Sequence, residues 1–251
     1  MRRALAAAAV GLVAASLPGA ATGRGIGLSA SPLRLTLRGA SAAAVTVRNP
    51  GRRALVGGVS RTGFARSLRG RPRVLPARGA SVWLRVRPRR LRLAPGGKAI
   101  LRLRAAPPRR AEPGDHPALV LLTTRPLGVR RVRVRLRVGV VVDLRISGRI
   151  VRRLEARTLS LRRRRAVRLL DLLLINRGNV TERLGRDGLR LVLSREGRPI
   201  ATLRPAHGEL LPRSTGLAEF VYRGSARGDV VARIELPPSI QGRRPAFHLR
   251  L

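Results

Sequence analysis

Along most of the chain, apolar and polar residues alternate one for one. Leu33-Arg34-Leu35-Thr36-Leu37 is such a run, and the stretch Trp83-Leu84-Arg85-Val86-Arg87 becomes another after its first step. The clearest is Arg131-Val132-Arg133-Val134-Arg135-Leu136-Arg137-Val138. A strand turns successive side chains to opposite faces, so this period buries Val and Leu and lines the other side with Arg. Further strands are predicted at 42–48, 54–62, 98–105 and 117–124. In the second half they are predicted at 150–159, 166–176, 188–194, 199–204, 217–223, 229–236 and 246–251. Asn49-Pro50-Gly51, Pro95-Gly96-Gly97 and Pro113-Gly114-Asp115 read as turns, and Arg195-Glu196-Gly197-Arg198 as a hairpin connection. Helical periodicity is scarce, so the expected fold class is all-β, built from sandwiches.

The two halves echo each other. Val45-Thr46-Val47-Arg48-Asn49-Pro50-Gly51 matches Leu172–Ile175 followed by Asn176-Arg177-Gly178-Asn179. Pro113-Gly114-Asp115 before one strand matches Arg227-Gly228-Asp229 before another. Two tandem immunoglobulin-like sandwiches of about 100 residues each fit this length. Ahead of them, Met1-Arg2-Arg3, the apolar run Ala4 to Leu17 and the small residues Pro18 to Gly23 form an export signal, with cleavage after Ala21 or Gly23. The expected division is residues 1–23 as signal peptide, 24–142 as the first sandwich and 143–251 as the second. No later stretch reaches the 18 apolar residues of a membrane span, so the expected location is secreted or at the cell envelope.

Composition narrows the function. The chain of 251 residues carries 54 basic and 12 acidic side chains, a formal charge of +42, and no cysteine. Absence of cysteine excludes disulfides and thiolate metal sites. Five aromatics (Trp83, Tyr222, Phe64, Phe220 and Phe247) are too few for a base-stacking surface, so nucleic acid is expected only as a non-specific polyanion. All the basic residues but Lys98 are arginine, and asparagine occurs three times, a pattern of GC-rich codons that accounts for part of the charge. Residues 1–23 take Arg2 and Arg3 with them, leaving +40, of which residues 24–140 carry +26 and 141–251 carry +14.

Catalytic chemistry finds no motif. His116, His207 and His248 lie far apart, and no metal-ligand or nucleophile spacing surrounds them. His116 beside Asp115 reads as a surface pair in a turn, and Glu112 with Asp115 as partners of backbone groups or nearby Arg. Arg227-Gly228-Asp229 reads as a turn rather than an adhesion signal. Trp83 reads as a buried strand residue of the first sandwich. No enzyme activity, cofactor or metal is expected. The feature with functional weight is the arginine rows. Arg131, Arg133, Arg135 and Arg137 are predicted along one side of one strand. Arg85 with Arg87, and Arg102 with Arg104, repeat the spacing, and neighbouring strands would merge them into one anion-binding face.

Several segments carry a family resemblance. Leu28-Ser29-Ala30-Ser31-Pro32, Val45 to Gly51, Val82-Trp83-Leu84-Arg85-Val86, Leu91-Arg92-Leu93-Ala94-Pro95-Gly96-Gly97 and Pro113 to Val120 follow in an order that resembles the peptidoglycan-binding domain of WxL-interacting proteins. Asn176 to Val180, Glu196-Gly197, Leu211 to Thr215 and Arg227-Gly228-Asp229 resemble the partner domain that follows it. Members of that family end in a membrane-spanning helix, whereas His248-Leu249-Arg250-Leu251 reads as a last strand. More distantly, the two-domain plan is similar to periplasmic fimbrial chaperones. The resemblance implies a non-enzymatic envelope protein that binds or scaffolds a cell-wall polymer or a surface protein. The alternative it implies is a chaperone that lends an edge strand to secreted or pilus subunits.

Overall fold

The structure, a computed structural model, describes residues 27–129, 132–164, 167–185, 188–205, 208–243 and 245–251. The export signal at 1–23, Arg131 and His207 lie outside these residues.

The first sandwich runs in order through β1 (Ser29–Ser31), β2 (Arg34–Arg38), β3 (Ala42–Arg48), β4 (Leu55–Arg66) and β5 (Pro72–Leu75). It continues with the helical turn α1 (Ala80–Trp83), then β6 (Leu84–Arg87), β7 (Arg90–Leu93) and β8 (Lys98–Ala105). It ends with β9 (Gly114–Thr124), β10 (Leu127–Val129), β11 (Val132–Val134) and β12 (Arg137–Ile146). One sheet has the order β1-β3-β8-β6; the other runs β2-β12-β9-β4-β5, with β7 also on β4. Leu37, Val45, Leu84, Leu101, Leu103, Val120 and Val142 fill the space between them.

The second sandwich contains β13 (Leu154–Arg164), β14 (Val167–Asn176), β15 (Glu182–Arg183), β16 (Arg190–Arg195) and β17 (Arg198–Leu203). β18 (Glu209–Leu210), β19 (Thr215–Tyr222), β20 (Asp229–Glu235) and β21 (Ala246–Arg250) complete it. The sheets β13-β14-β19 and β17-β16-β20-β21 enclose Leu170, Leu172, Leu191, Leu193, Ala232 and the fully buried Phe220. Glu196 and Gly197, both with positive φ (49° and 76°), make the predicted two-residue hairpin between β16 and β17.

The internal echo has a structural counterpart. Asn49 directly follows β3 and Asn176 ends β14, and both are completely buried. Asn49 Nδ2 donates to the carbonyls of Arg53, Leu93 and Ala94, while its Oδ1 accepts the Gly51 N–H. Asn176 Nδ2 donates to the carbonyls of Val180, Leu210 and Leu211, and its Oδ1 accepts the Gly178 N–H. The Gly-Asp pairs likewise begin β9 and β20, which hold the same place beside the last strand of each sandwich.

Four expectations need correction. Trp83 is not a buried strand residue: it ends α1, half-buried, with its ring 5.0 Å from that of His116. His116 lies inside β9 rather than in the turn before it, and its ring meets the Glu112 carbonyl at 2.6 Å. The run 131–138 is not one strand. Its Val132–Val134 portion pairs with β10 as a separate ribbon. The ladder to β9 then begins at Arg137, after Leu136 bonds through its backbone to Thr124. An alternating sequence sets which side chains point the same way, but not how long one partner is kept. β12 continues to Ile146, past the junction expected at 142/143, because Leu144 belongs to the first core.

Candidate functional site

The two sandwiches meet along the outer face of the β12 sheet. Leu211 of the second sandwich packs on Phe64, Leu119 and the half-buried Val141 of the first. Gly114 lets the backbones touch. Its φ is 121°, and a Cβ there would lie 2.1 Å from the Asn179 carbonyl oxygen. Asp115 N–H donates to that same carbonyl at 2.8 Å, and Leu217 N–H donates to the Leu68 carbonyl at 2.7 Å.

Beside this contact lies an open cleft of about 1040 Å³, walled by Arg34, Arg66, Asp143, Arg145, Arg152 and Glu209 among others. Arg34 on β2 reaches Asp143 on β12 at 2.6 Å and Glu209 on β18 at 2.5 Å. Arg66 reaches the other oxygen of Glu209 at 2.7 Å. Asp115 receives the Arg145 guanidinium and also the Thr181 N–H. Arg152 forks onto the fully buried Glu182 at 2.9 and 2.6 Å. Burial opposes the charge on Arg34, but Glu209 and Asp143 outweigh it and raise its pKa further above the ordinary arginine value. Burial alone would raise Glu209; Arg34 and Arg66 reverse the sign and hold it below the usual carboxylate range. Asp143 stays raised, because its desolvation exceeds what Arg34 returns. The cleft is therefore a self-neutralised network of long-range pairs.

One wall of the cleft continues into an incomplete strand. β12 pairs with β9 along its whole length, from Arg137 to Ile146. On its other side β2 covers only Val141 to Arg145. Val141 N–H donates to the Leu33 carbonyl, and the Arg145 carbonyl accepts from Gly39, so the odd-numbered residues face that side. By this alternation the N–H and C=O groups of Arg137 and Gly139 point along the same open edge, with no partner among the described residues. Leu33, 57% exposed, stands at its lip, and Val134, Leu136 and Val138 run half-buried along it. The alternation was visible in the sequence; the open half was not, because it depends on where β2 begins to pair.

The predicted arginine face divides. Arg85 and Arg87 on β6 lie directly opposite Arg104 and Arg102 on β8, all four exposed on one sheet face. Arg133 instead sits on the β10–β11 ribbon, Arg135 follows it, and Arg137 opens β12 in the other sheet. Those three do not join the face. Sequence reasoning also missed Arg48 and Lys98, which face each other on the same surface. Among the described residues no group of three or more His, Asp or Glu is arranged to hold a metal ion, and no helix is long and apolar enough to cross a membrane.

No family model matches the sequence, and no curated protein matches it. Solved structures do. A chain from a chaperone–tip adhesin complex of CFA/I fimbriae biogenesis superposes with a TM-score of 0.50 at 11% identity, over 89% of this chain and 98% of that one. The Pseudomonas aeruginosa CupB2 chaperone gives 0.43 at 14% identity, over 89% and 100%. The PapD-like domain 7 of human CEP192 gives 0.36 at 14% identity, over 55% and 98%. The likeness found is thus to fimbrial chaperones, the more distant of the two resemblances read from the sequence, and nothing found supports the WxL-interacting proteins. At this identity it is a likeness of architecture: the chain folds as two tandem immunoglobulin-like sandwiches with the plan seen in a fimbrial chaperone.

Proposed function

We propose that this protein is an exported, non-enzymatic partner of secreted subunits that takes up one extended segment along the open edge of β12. The observation that carries this is the half-covered strand, on which Arg137 and Gly139 offer a donor and an acceptor each. A guest strand there would continue the row that β2 occupies and complete the ladder beyond Val141. The apolar row from Val134 to Val138 would meet the guest's alternate side chains. The fold likeness to a chain from a chaperone–adhesin complex supports the same reading over the wall-polymer scaffold favoured by the sequence. The export signal at 1–23 supplies the location outside the cytoplasm.

The test is co-expression with the secreted subunits encoded beside its gene, followed by isolation of the complex. Arg137→Pro removes one outward N–H that has no partner among the described residues. It should abolish the complex while leaving the protein folded. A complex that survives this change with undiminished affinity would count against edge pairing.

A further inference from the structure

The outer face of the β1-β3-β8-β6 sheet lies on the side of the first sandwich away from β12 and carries charge that no described residue offsets. Six cations share it: Arg48, Arg85, Arg87, Lys98, Arg102 and Arg104. They form three directly opposed pairs, Arg48 with Lys98, Arg85 with Arg104 and Arg87 with Arg102. Like charges facing across strands destabilise a sheet, and here the arrangement occurs three times in one patch. Among the described residues none of the six has a side-chain hydrogen bond or ion pair. All three acids of the first sandwich are elsewhere. Glu112 binds Arg213, Asp115 binds Arg145, and Asp143 binds Arg34.

The surface is also shaped. A groove of about 870 Å³ runs past the β6 edge, walled by Arg85, Arg87 and Arg102 with Arg61, Pro88 and Arg89. Ala42 and Ala44 lie across from Arg104 and Arg102 and keep the neighbouring strand low. Arginines two residues apart on a strand are about 6.8 Å apart, and opposed pairs sit on strands about 4.8 Å apart. That is a ladder of forked donors suited to a chain with an anionic group at every repeat. A concave, linear track fits a polymer better than a planar bilayer.

We infer that this face binds a linear phosphodiester polymer of the cell envelope. The export signal places it where such polymers are the available polyanions. The site is separate from the β12 edge, so it stands or falls apart from subunit pairing.

The experiment measures binding of purified protein to poly(glycerol phosphate) over a salt series. The variant Arg85→Gln/Arg87→Gln/Arg102→Gln/Arg104→Gln should lose most of the affinity, with the log–log salt slope shallower by about three. A control that neutralises four exposed arginines of the second sandwich, Arg190, Arg198, Arg233 and Arg250, should retain it. The face variant should also melt at a higher temperature, because two opposed pairs are relieved. Should it fail to fold, the pair Arg85→Gln/Arg104→Gln is read the same way, with a proportionally smaller change. Equal loss in face and control variants, or no loss in either, overturns the proposal. So does binding to duplex DNA or to phosphatidylglycerol vesicles as tight as to the polymer, which would make nucleic acid or the membrane the partner.

Discussion

Asn49 and Asn176 show how one side chain can close a sandwich. Each is fully buried, and each bonds three carbonyls and one N–H. Unpaired buried polar groups cost about 1–3 kcal/mol apiece. Asn49→Ala and Asn176→Ala should therefore each destabilise their own sandwich by about 2–4 kcal/mol in denaturant melts. Asp at either position should be at least as harmful, since a carboxylate would face three carbonyl oxygens. A loss under about 0.5 kcal/mol in either Ala variant would contradict this role. The asparagines were legible as turn markers because an Asn-x-Gly segment follows a strand in both halves. Their deeper partners were not, since Leu93 and Leu210 are 44 and 34 residues away.

At the scale of elements, alternation located strands well and misjudged their continuity. β3 and β8 occupy 42–48 and 98–105 as predicted, because each keeps one buried face from end to end. The run from Arg131 to Val138 alternates just as cleanly, yet it changes partner at Arg135-Leu136. This break, and the late start of β2 pairing at Val141, together leave the β12 edge half open. Arg137→Pro should shift the unfolding free energy by less than about 1 kcal/mol, because the N–H it removes has no partner among the described residues. A larger destabilisation would mean that the edge is already paired. Half of the arginine face was legible, the half on β6 and β8. Arg48 and Lys98 escaped notice because only the register of β3 against β8 sets them opposite each other.

Across the whole molecule, charge is segregated. Carboxylates gather where the sandwiches meet, and the outward face of the first sandwich is left to arginine. Glu209 is the hinge of that arrangement, since it joins Arg34 and Arg66 to β18. Its folded pKa lies below the unfolded value, so its contribution is full above about pH 4.3 and is lost as pH falls through the folded value. Asp143 works the other way: its raised pKa makes its ionised form a cost that acid relieves. Acid weakening of the domain contact should thus depend on Glu209. Glu209→Gln should weaken the contact at neutral pH and flatten its pH dependence below about pH 4.3, as read by scattering or by a distance probe between the sandwiches. An unchanged pH profile would contradict this assignment. The central claim remains the β12 edge, and amide hydrogen exchange reads it most directly. In a purified complex with a secreted subunit, exchange at Arg137 and Gly139 should slow by at least about tenfold relative to the free protein, as for newly bonded strand amides. Unchanged exchange at both amides in an intact complex would contradict strand pairing there.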